Sequence, residues 1–64
     1  MSDFWPALRR ILMDNGWEHL REAKGDHVVW WHPSTGRTLV IDKGTKSRHT
    51  MNAILKDAGL PKAF

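Results

Sequence analysis

Four histidines give this sequence of 64 residues its proton-transfer chemistry, because an imidazole with a pKa of about 6.5 titrates close to neutral pH. His27 follows a Gly-containing turn, Lys24-Gly25-Asp26, at the start of a predicted strand, a usual place for an exposed and positioned side chain. A Lys ammonium in the same tight turn can approach an anion bound near the imidazole. Spacing alone, however, favours an inert surface histidine at this position.

Metal chemistry is not indicated. No two histidines are spaced as a helical metal-binding pair, and no acidic cluster accompanies them. With no Cys, the chain has no thiolate zinc site, iron–sulfur cluster or disulfide. We therefore expect no metal ion and no cofactor. The sequence also predicts a soluble, cytoplasmic protein that does not enter a membrane, because it has no Cys, no long apolar run and an acidic N-terminus.

The charge balance favours a polyanionic partner. Ten Lys and Arg against seven Asp and Glu give a net charge of +3. Nucleic acid is the first candidate for such a partner, although a solubilising surface produces similar numbers. Four Trp residues can either fill a core or stack on bases. The short chain also excludes large enzyme scaffolds, because a domain of this size buries only about 60% of its unfolded surface.

A helix is predicted at each end of the chain. The first is capped by Ser2 or Asp3, carries Pro6 in its first turn and stops at Asn15-Gly16. Its apolar positions recur at helical spacing: Phe4, Leu8, Ile11 and Leu12. The last helix starts with Ser47 or Thr50 as N-cap and ends at Gly59, with Pro61 beyond. Its apolar stripe is Met51, Ile54, Leu55 and Ala58, whereas Asn52, Lys56 and Asp57 face elsewhere.

Three strands are predicted between the helices, at 17–22, 27–32 and 37–41, where the sequence period changes to two. Short turns make them an antiparallel meander. The sequence thus predicts one α+β domain over residues 1–64, with a two-layer α-β-β-β-α order and both helices on one face of the sheet. Because adjacent strand residues point to opposite faces, Trp30 is predicted in the core if His27 and Trp31 share the open face.

Four segments in register give the chain a family resemblance. Gly16-Trp17, Lys24-Gly25-Asp26-His27, His32-Pro33 and the segment 54–60 (Ile-Leu-Lys-Asp-Ala-Gly-Leu) resemble the HicA-type mRNA interferases. These proteins are the toxins of bacterial type II toxin–antitoxin pairs. The resemblance covers residues from about 8 to 60.

The resemblance implies a fold similar to the double-stranded RNA-binding domain and a metal-independent endoribonuclease activity on mRNA. It places the single essential histidine at His27. It also implies a HicB-type antitoxin partner that covers the active region and represses the operon. Asp26 is a departure, because the family commonly has Ser or Gly there, and its carboxylate stands beside the expected catalytic group.

RNA or phosphate contacts are expected at Lys24, Gly25, Trp31 and Arg48. Lys24 would balance phosphate charge, although a solvated turn lysine is an equally good explanation. For Gly25 the demands of the turn are the stronger explanation. Trp31 would stack on a base or dock the antitoxin, and Arg48 would contact the RNA backbone near the last helix. Two alternatives stay open: a non-catalytic RNA-binding module of the same fold, and a degenerate toxin that only binds its antitoxin.

Overall fold

The structure is a computed structural model that describes residues 4–44 and 46–64. Its elements follow the predicted order, with bounds close to those expected. They are helix α1 (Trp5–Asp14), strands β1 (Glu18–Glu22), β2 (His27–His32) and β3 (Arg37–Asp42), and helix α2 (Arg48–Asp57). The three strands form one antiparallel sheet in the order β1-β2-β3. The predicted α-β-β-β-α, α+β fold is therefore confirmed.

Helix α1 ends in a Schellman motif that directs the chain into the sheet. The Gly16 N–H donates to the Met13 carbonyl at 3.2 Å, and the Trp17 N–H donates to the Leu12 carbonyl at 2.9 Å. This motif needs a left-handed residue, and Gly16 supplies it with φ +89°. The predicted stop at Asn15-Gly16 is thus confirmed, while the predicted caps Ser2 and Asp3 lie outside the described residues.

The core lies between the two helices and one face of the sheet. Every second residue of the strands faces the core, and both helices and the loop between α1 and β1 cover this face of the sheet. The fully or nearly buried members are Leu8, Leu12, Trp17, Val28, Trp30, Leu39, Ile41, Met51, Ile54 and Leu55. The prediction that Trp30 belongs to the core is confirmed, because only 3% of it is exposed. The burial of this face follows from strand alternation.

Neither of the two helices in the described part of the chain covers the opposite face of the sheet. Trp31 is partly exposed there, and Val40 of β3 is 65% exposed. The register of β1 shifts between His19 and Arg21, which is an irregularity of the β-bulge type in this edge strand. The open face is therefore the side of the sheet on which a partner can approach His27 and Trp31.

Asn52 corrects one expectation about α2. The sequence pattern places it away from the apolar stripe, but the structure buries it to 8% exposure. Its amide donates to the Phe64 carbonyl at 2.9 Å and accepts the N–H groups of Ala63 and Phe64 at 3.2 and 3.1 Å. The C-terminal segment folds back onto α2, and Phe64 packs edge-on against Phe4. Neither described helix has the length and apolarity to cross a bilayer.

Candidate active site

The turn between β1 and β2 positions His27. The Ala23 N–H donates to the His27 carbonyl at 2.9 Å, and the His27 N–H donates to the Lys24 carbonyl at 3.4 Å. Gly25 adopts φ +68° within this turn, a backbone conformation that residues with a Cβ adopt at a cost. No atom of the described part of the chain lies within 4 Å of where a Gly25 Cβ would stand. The turn conformation therefore accounts for this glycine, in agreement with the sequence interpretation.

The imidazole of His27 is held in a defined tautomer. Its Nδ1 lies 3.1 Å from the Lys24 carbonyl oxygen, and the side chain is otherwise exposed. A carbonyl oxygen only accepts hydrogen bonds, so the neutral ring carries its proton on Nδ1. The Nε2 lone pair is then available to take a proton from a bound molecule. This is the arrangement that a general base requires.

A shallow depression of about 460 Å³ surrounds the imidazole. Residues 23–27 line one side of it, and Val40 and Asp42 of β3 line the other. It brings together three of the predicted site residues: Lys24, Gly25 and His27. Lys24 lines the same depression as the ring, and its contact with a phosphate stays a prediction.

Asp42 is a member of this site that the sequence interpretation missed. It stands directly across from His27 in the β2–β3 register. Its Oδ1 accepts the Gly44 N–H at 2.9 Å, which closes the end of β3. Asp26 contributes a second carboxylate to the depression. The predicted third strand ends at Ile41. Extended by one residue, its antiparallel register with β2 would have placed Asp42 opposite His27.

Trp31 and Arg48 lie outside the depression. Trp31 shares the open face with His27 but is four residues further along β2, a span of about 13 Å. Arg48 is exposed at the first position of α2. That helix is capped by the Ser47 hydroxyl, which accepts the Thr50 N–H, so Ser47 is the N-cap of the two predicted. Both side chains can only contact parts of a ligand that extend beyond the His27 turn.

The side chain of His32 is held by contacts within the fold. Its Nε2 lies 3.1 Å from the Asn15 carbonyl, and its ring packs edge-on against Trp17 at 5.4 Å between centroids. It thereby joins the end of β2 to the loop after α1. Its Nδ1 is buried and has no hydrogen-bond partner within residues 4–44 and 46–64.

Glu22 connects the two edge strands of the sheet on the helix side. Its carboxylate lies 2.7 Å from His19 Nε2 and 3.1 Å from Lys43 Nζ. The hydrogen bonds from His19 and then from Lys43 lower the pKa of Glu22 below the ordinary value of 4.5. The described residues contain no group of three or more His, Asp or Glu side chains arranged to hold a metal ion.

The lowered pKa of Glu22 predicts an acid-dependent contribution to stability. A carboxyl group with a depressed pKa stabilises the fold above its unfolded-state pKa, here 4.5, and loses this contribution as the pH falls through the folded-state pKa. We expect Glu22→Gln to lower the free energy of unfolding at pH 7 and the difference from wild type to shrink below pH 4.5. Urea unfolding between pH 7 and 3 measures this difference, with Glu18→Gln as control. A difference that persists undiminished at pH 3 would contradict the prediction.

The fold and the site together define a class of protein: a small two-layer α-β-β-β-α domain that presents a positioned histidine on a hairpin turn beside an open sheet face. The family model for the HicA toxin of bacterial toxin–antitoxin systems matches residues 5–60, and the chain therefore belongs to the HicA toxin family. The resemblance seen in the sequence is thus confirmed. No significant match was found among curated proteins or among solved structures.

Proposed function

We propose that this HicA-family toxin is a cytoplasmic endoribonuclease that cleaves mRNA without a metal ion and is neutralised by a HicB-type antitoxin. The observation that carries the proposal is the hydrogen bond between His27 Nδ1 and the Lys24 carbonyl. It orients an exposed imidazole and leaves Nε2 free to act as a base. Membership of a toxin family supplies the biological setting for this chemistry.

The proposed reaction uses the ribose of the substrate as the nucleophile. His27 Nε2 takes the proton of a 2′-hydroxyl, and the 2′ oxygen forms a bond to the adjacent phosphorus. The bond from phosphorus to the 5′ oxygen breaks, and the leaving oxygen takes up a proton from solvent. The products are a 2′,3′-cyclic phosphate and a 5′-hydroxyl. An imidazole suits the first step because its proton affinity is matched to neutral pH.

Lys24 balances the phosphate charge in this proposal. Because Asp26 and Asp42 line the same depression, a bound phosphate meets two carboxylates as well as the imidazole. The Lys24 ammonium offsets this repulsion and stabilises the additional negative charge of the transition state. Gly25 contributes the turn that brings Lys24 and His27 to the same depression.

Trp31 and Arg48 bind the strand away from the cleaved bond in this proposal. A base can stack on the partly exposed indole of Trp31, and Arg48 can neutralise a backbone phosphate near α2. The antitoxin binds the same open surface and blocks access to His27. Val40 is exposed and Trp31 partly exposed on this face, and apolar surface of this kind favours a protein contact.

The experiment that tests the function compares two forms of one RNA. The purified protein is incubated, in the presence of EDTA, with an oligoribonucleotide that it cuts and with the same RNA carrying a 2′-O-methyl group at the cleaved nucleotide. We expect the first RNA to yield a 2′,3′-cyclic phosphate end and the second to stay intact. Cleavage of the 2′-O-methyl RNA at the same bond would contradict 2′-hydroxyl attack. Salt-dependent binding without any scission would instead favour the non-catalytic RNA-binding module.

A further inference from the structure

A second concave surface lies on the helix side of the sheet, between α1 and the edge strand β1. Its volume is about 460 Å³, and its lining includes three of the four Trp side chains, Trp5, Trp17 and Trp30, together with Met13. Met13 is 51% exposed, so its side chain adds accessible apolar surface to this lining. We call this surface the tryptophan groove. It is separate from the depression around His27, and the proposed cleavage chemistry does not use it.

The floor of the tryptophan groove holds an unsatisfied donor. Trp30 is 3% exposed, and its indole N–H is buried with no hydrogen-bond partner among the described residues. Buried indole N–H groups usually have an acceptor, because an unpaired donor loses its hydration without compensation. Trp5 and His19 pack edge-on with the same ring, at centroid distances of 5.8 and 6.2 Å. An acceptor on a ligand that displaces these rings slightly would satisfy the donor.

The rim of the tryptophan groove carries both hydrogen-bond donors and acceptors. Arg9 and Glu18 are exposed on it, and neither forms an ion pair within the described part of the chain. Arg9 and Met13 also line a neighbouring depression that contains Arg10. Arg9 and Arg10 therefore line adjoining surfaces, the first on the tryptophan groove itself and the second on the neighbouring depression. A nucleobase presents donors, acceptors and a π-face, and its phosphate is an anion. Because Trp17 and Trp30 are each only 3% exposed, the base would lie on the partly exposed ring of Trp5, with the phosphate at Arg9.

The tryptophan groove reaches close to the His27 turn. Glu22 lines one end of it, and the next residue, Ala23, is hydrogen-bonded to His27. Along β2, the level of Trp30 is about 10 Å from that of His27. Because the groove lies on the helix side of the sheet and the depression on the open face, a strand of RNA that occupies both surfaces would pass around the edge of the sheet at this end.

We infer that the tryptophan groove is a nucleotide-binding subsite, in which a base lies against the partly exposed ring of Trp5 and its phosphate is held by Arg9, with Arg10 on the adjoining depression. The inference rests on the proposed function when the ligand is the RNA substrate, and the subsite then contributes to the choice of cleaved sequence. The same chemistry would also hold a free nucleotide. The two sources are distinguished by experiment.

The test uses ¹⁵N-labelled full-length His27→Ala protein, which keeps bound RNA intact. The four Trp indole signals are followed during titration with the oligoribonucleotide that the wild type cuts and, separately, with each nucleoside 5′-monophosphate. We expect the Trp30 indole proton to move downfield as its N–H gains an acceptor. Shifts with RNA alone assign the subsite to the substrate strand, and shifts with a monophosphate as well show that it accepts free nucleotides.

Variants of the groove rim complete the test. Arg9→Ala and Met13→Glu are each expected to weaken binding about fivefold or more, because they remove a phosphate contact or place a carboxylate beside it. Lys62→Ala, a matched loss of one exposed positive charge, should change binding less than about twofold. Saturation by RNA with the Trp5, Trp17 and Trp30 signals unmoved would overturn the subsite, as would shifts with the antitoxin alone. If the wild type cleaves RNA while the groove signals do not move, the subsite is wrong and the nuclease proposal stands. If the groove signals shift but no RNA is cleaved, the subsite stands and the nuclease proposal is wrong.

Discussion

His27→Ala is expected to lower the rate of RNA cleavage by about 10²–10⁴-fold, the range over which a positioned general base contributes. The variant removes the free Nε2 and leaves the turn, because Gly25 and the Ala23–His27 backbone hydrogen bond do not depend on the imidazole. His27 is exposed, so its loss creates no cavity in the core. Single-turnover cleavage of a defined RNA measures the effect. Expression of the variant should also no longer arrest growth.

His49→Ala is the matched control for this result. His49 is exposed on α2, away from the depression around His27, so its removal tests whether any surface imidazole affects the rate. We expect cleavage by this variant to stay within about twofold of wild type. Thermal unfolding of both variants separates a loss of activity from a loss of folded protein. Equal cleavage by His27→Ala and wild type would remove His27 from the mechanism.

The elements of this fold were predictable because local rules determine where each one stops. Gly16 and Gly59 both take positive φ at helix ends, where the sequence pattern places them. The change of period from helical to alternating marks the sheet, and β2 runs from His27 to His32 as predicted. Differences are confined to ends: β1 starts at Glu18 because the Trp17 N–H is used by the helix stop, and β3 continues to Asp42.

The candidate site was only partly predictable, because its parts come from separated segments. Lys24, Gly25 and His27 share one turn, so their proximity follows from adjacency in sequence. Asp42 joins them through strand register, which periodicity does not specify to the residue. Asn52 illustrates the same limit in the core. Its partners are backbone groups of the C-terminal segment, and the sequence pattern of α2 does not predict these hydrogen bonds.

The tryptophan groove shows why composition does not tell whether a Trp residue lies in the core or lines a binding surface. Trp17 and Trp30 belong to the core by burial, yet both also line a surface that is open on one side. Sequence alternation separates Trp30 from Trp31 correctly but does not show that α1 leaves β1 partly uncovered. That gap depends on how the helix packs across the sheet, and hence on the tertiary structure.

Gly16→Ala is expected to be the most destabilising Gly→Ala substitution in this chain, with a loss of about 2–4 kcal/mol in the free energy of unfolding. Left-handed φ costs a residue with a Cβ about 1–2 kcal/mol. In addition, a Cβ on Gly16 would stand 2.8 Å from His32 Nε2, which is closer than real Cβ contacts allow. The imidazole would have to leave both the Asn15 carbonyl and the Trp17 ring. Urea or thermal unfolding measures the loss.

Gly36→Ala isolates the backbone part of this effect. Gly36 has φ +75°, but no described atom lies within 4 Å of its Cβ position, so only the conformational cost of about 1–2 kcal/mol applies. If the two variants lose equal stability, the contact with His32 contributes nothing. A double-mutant cycle with His32→Ala checks the same point independently. Because removal of the ring also removes the clash, the added cost of Gly16→Ala in that background should fall to the value measured at Gly36.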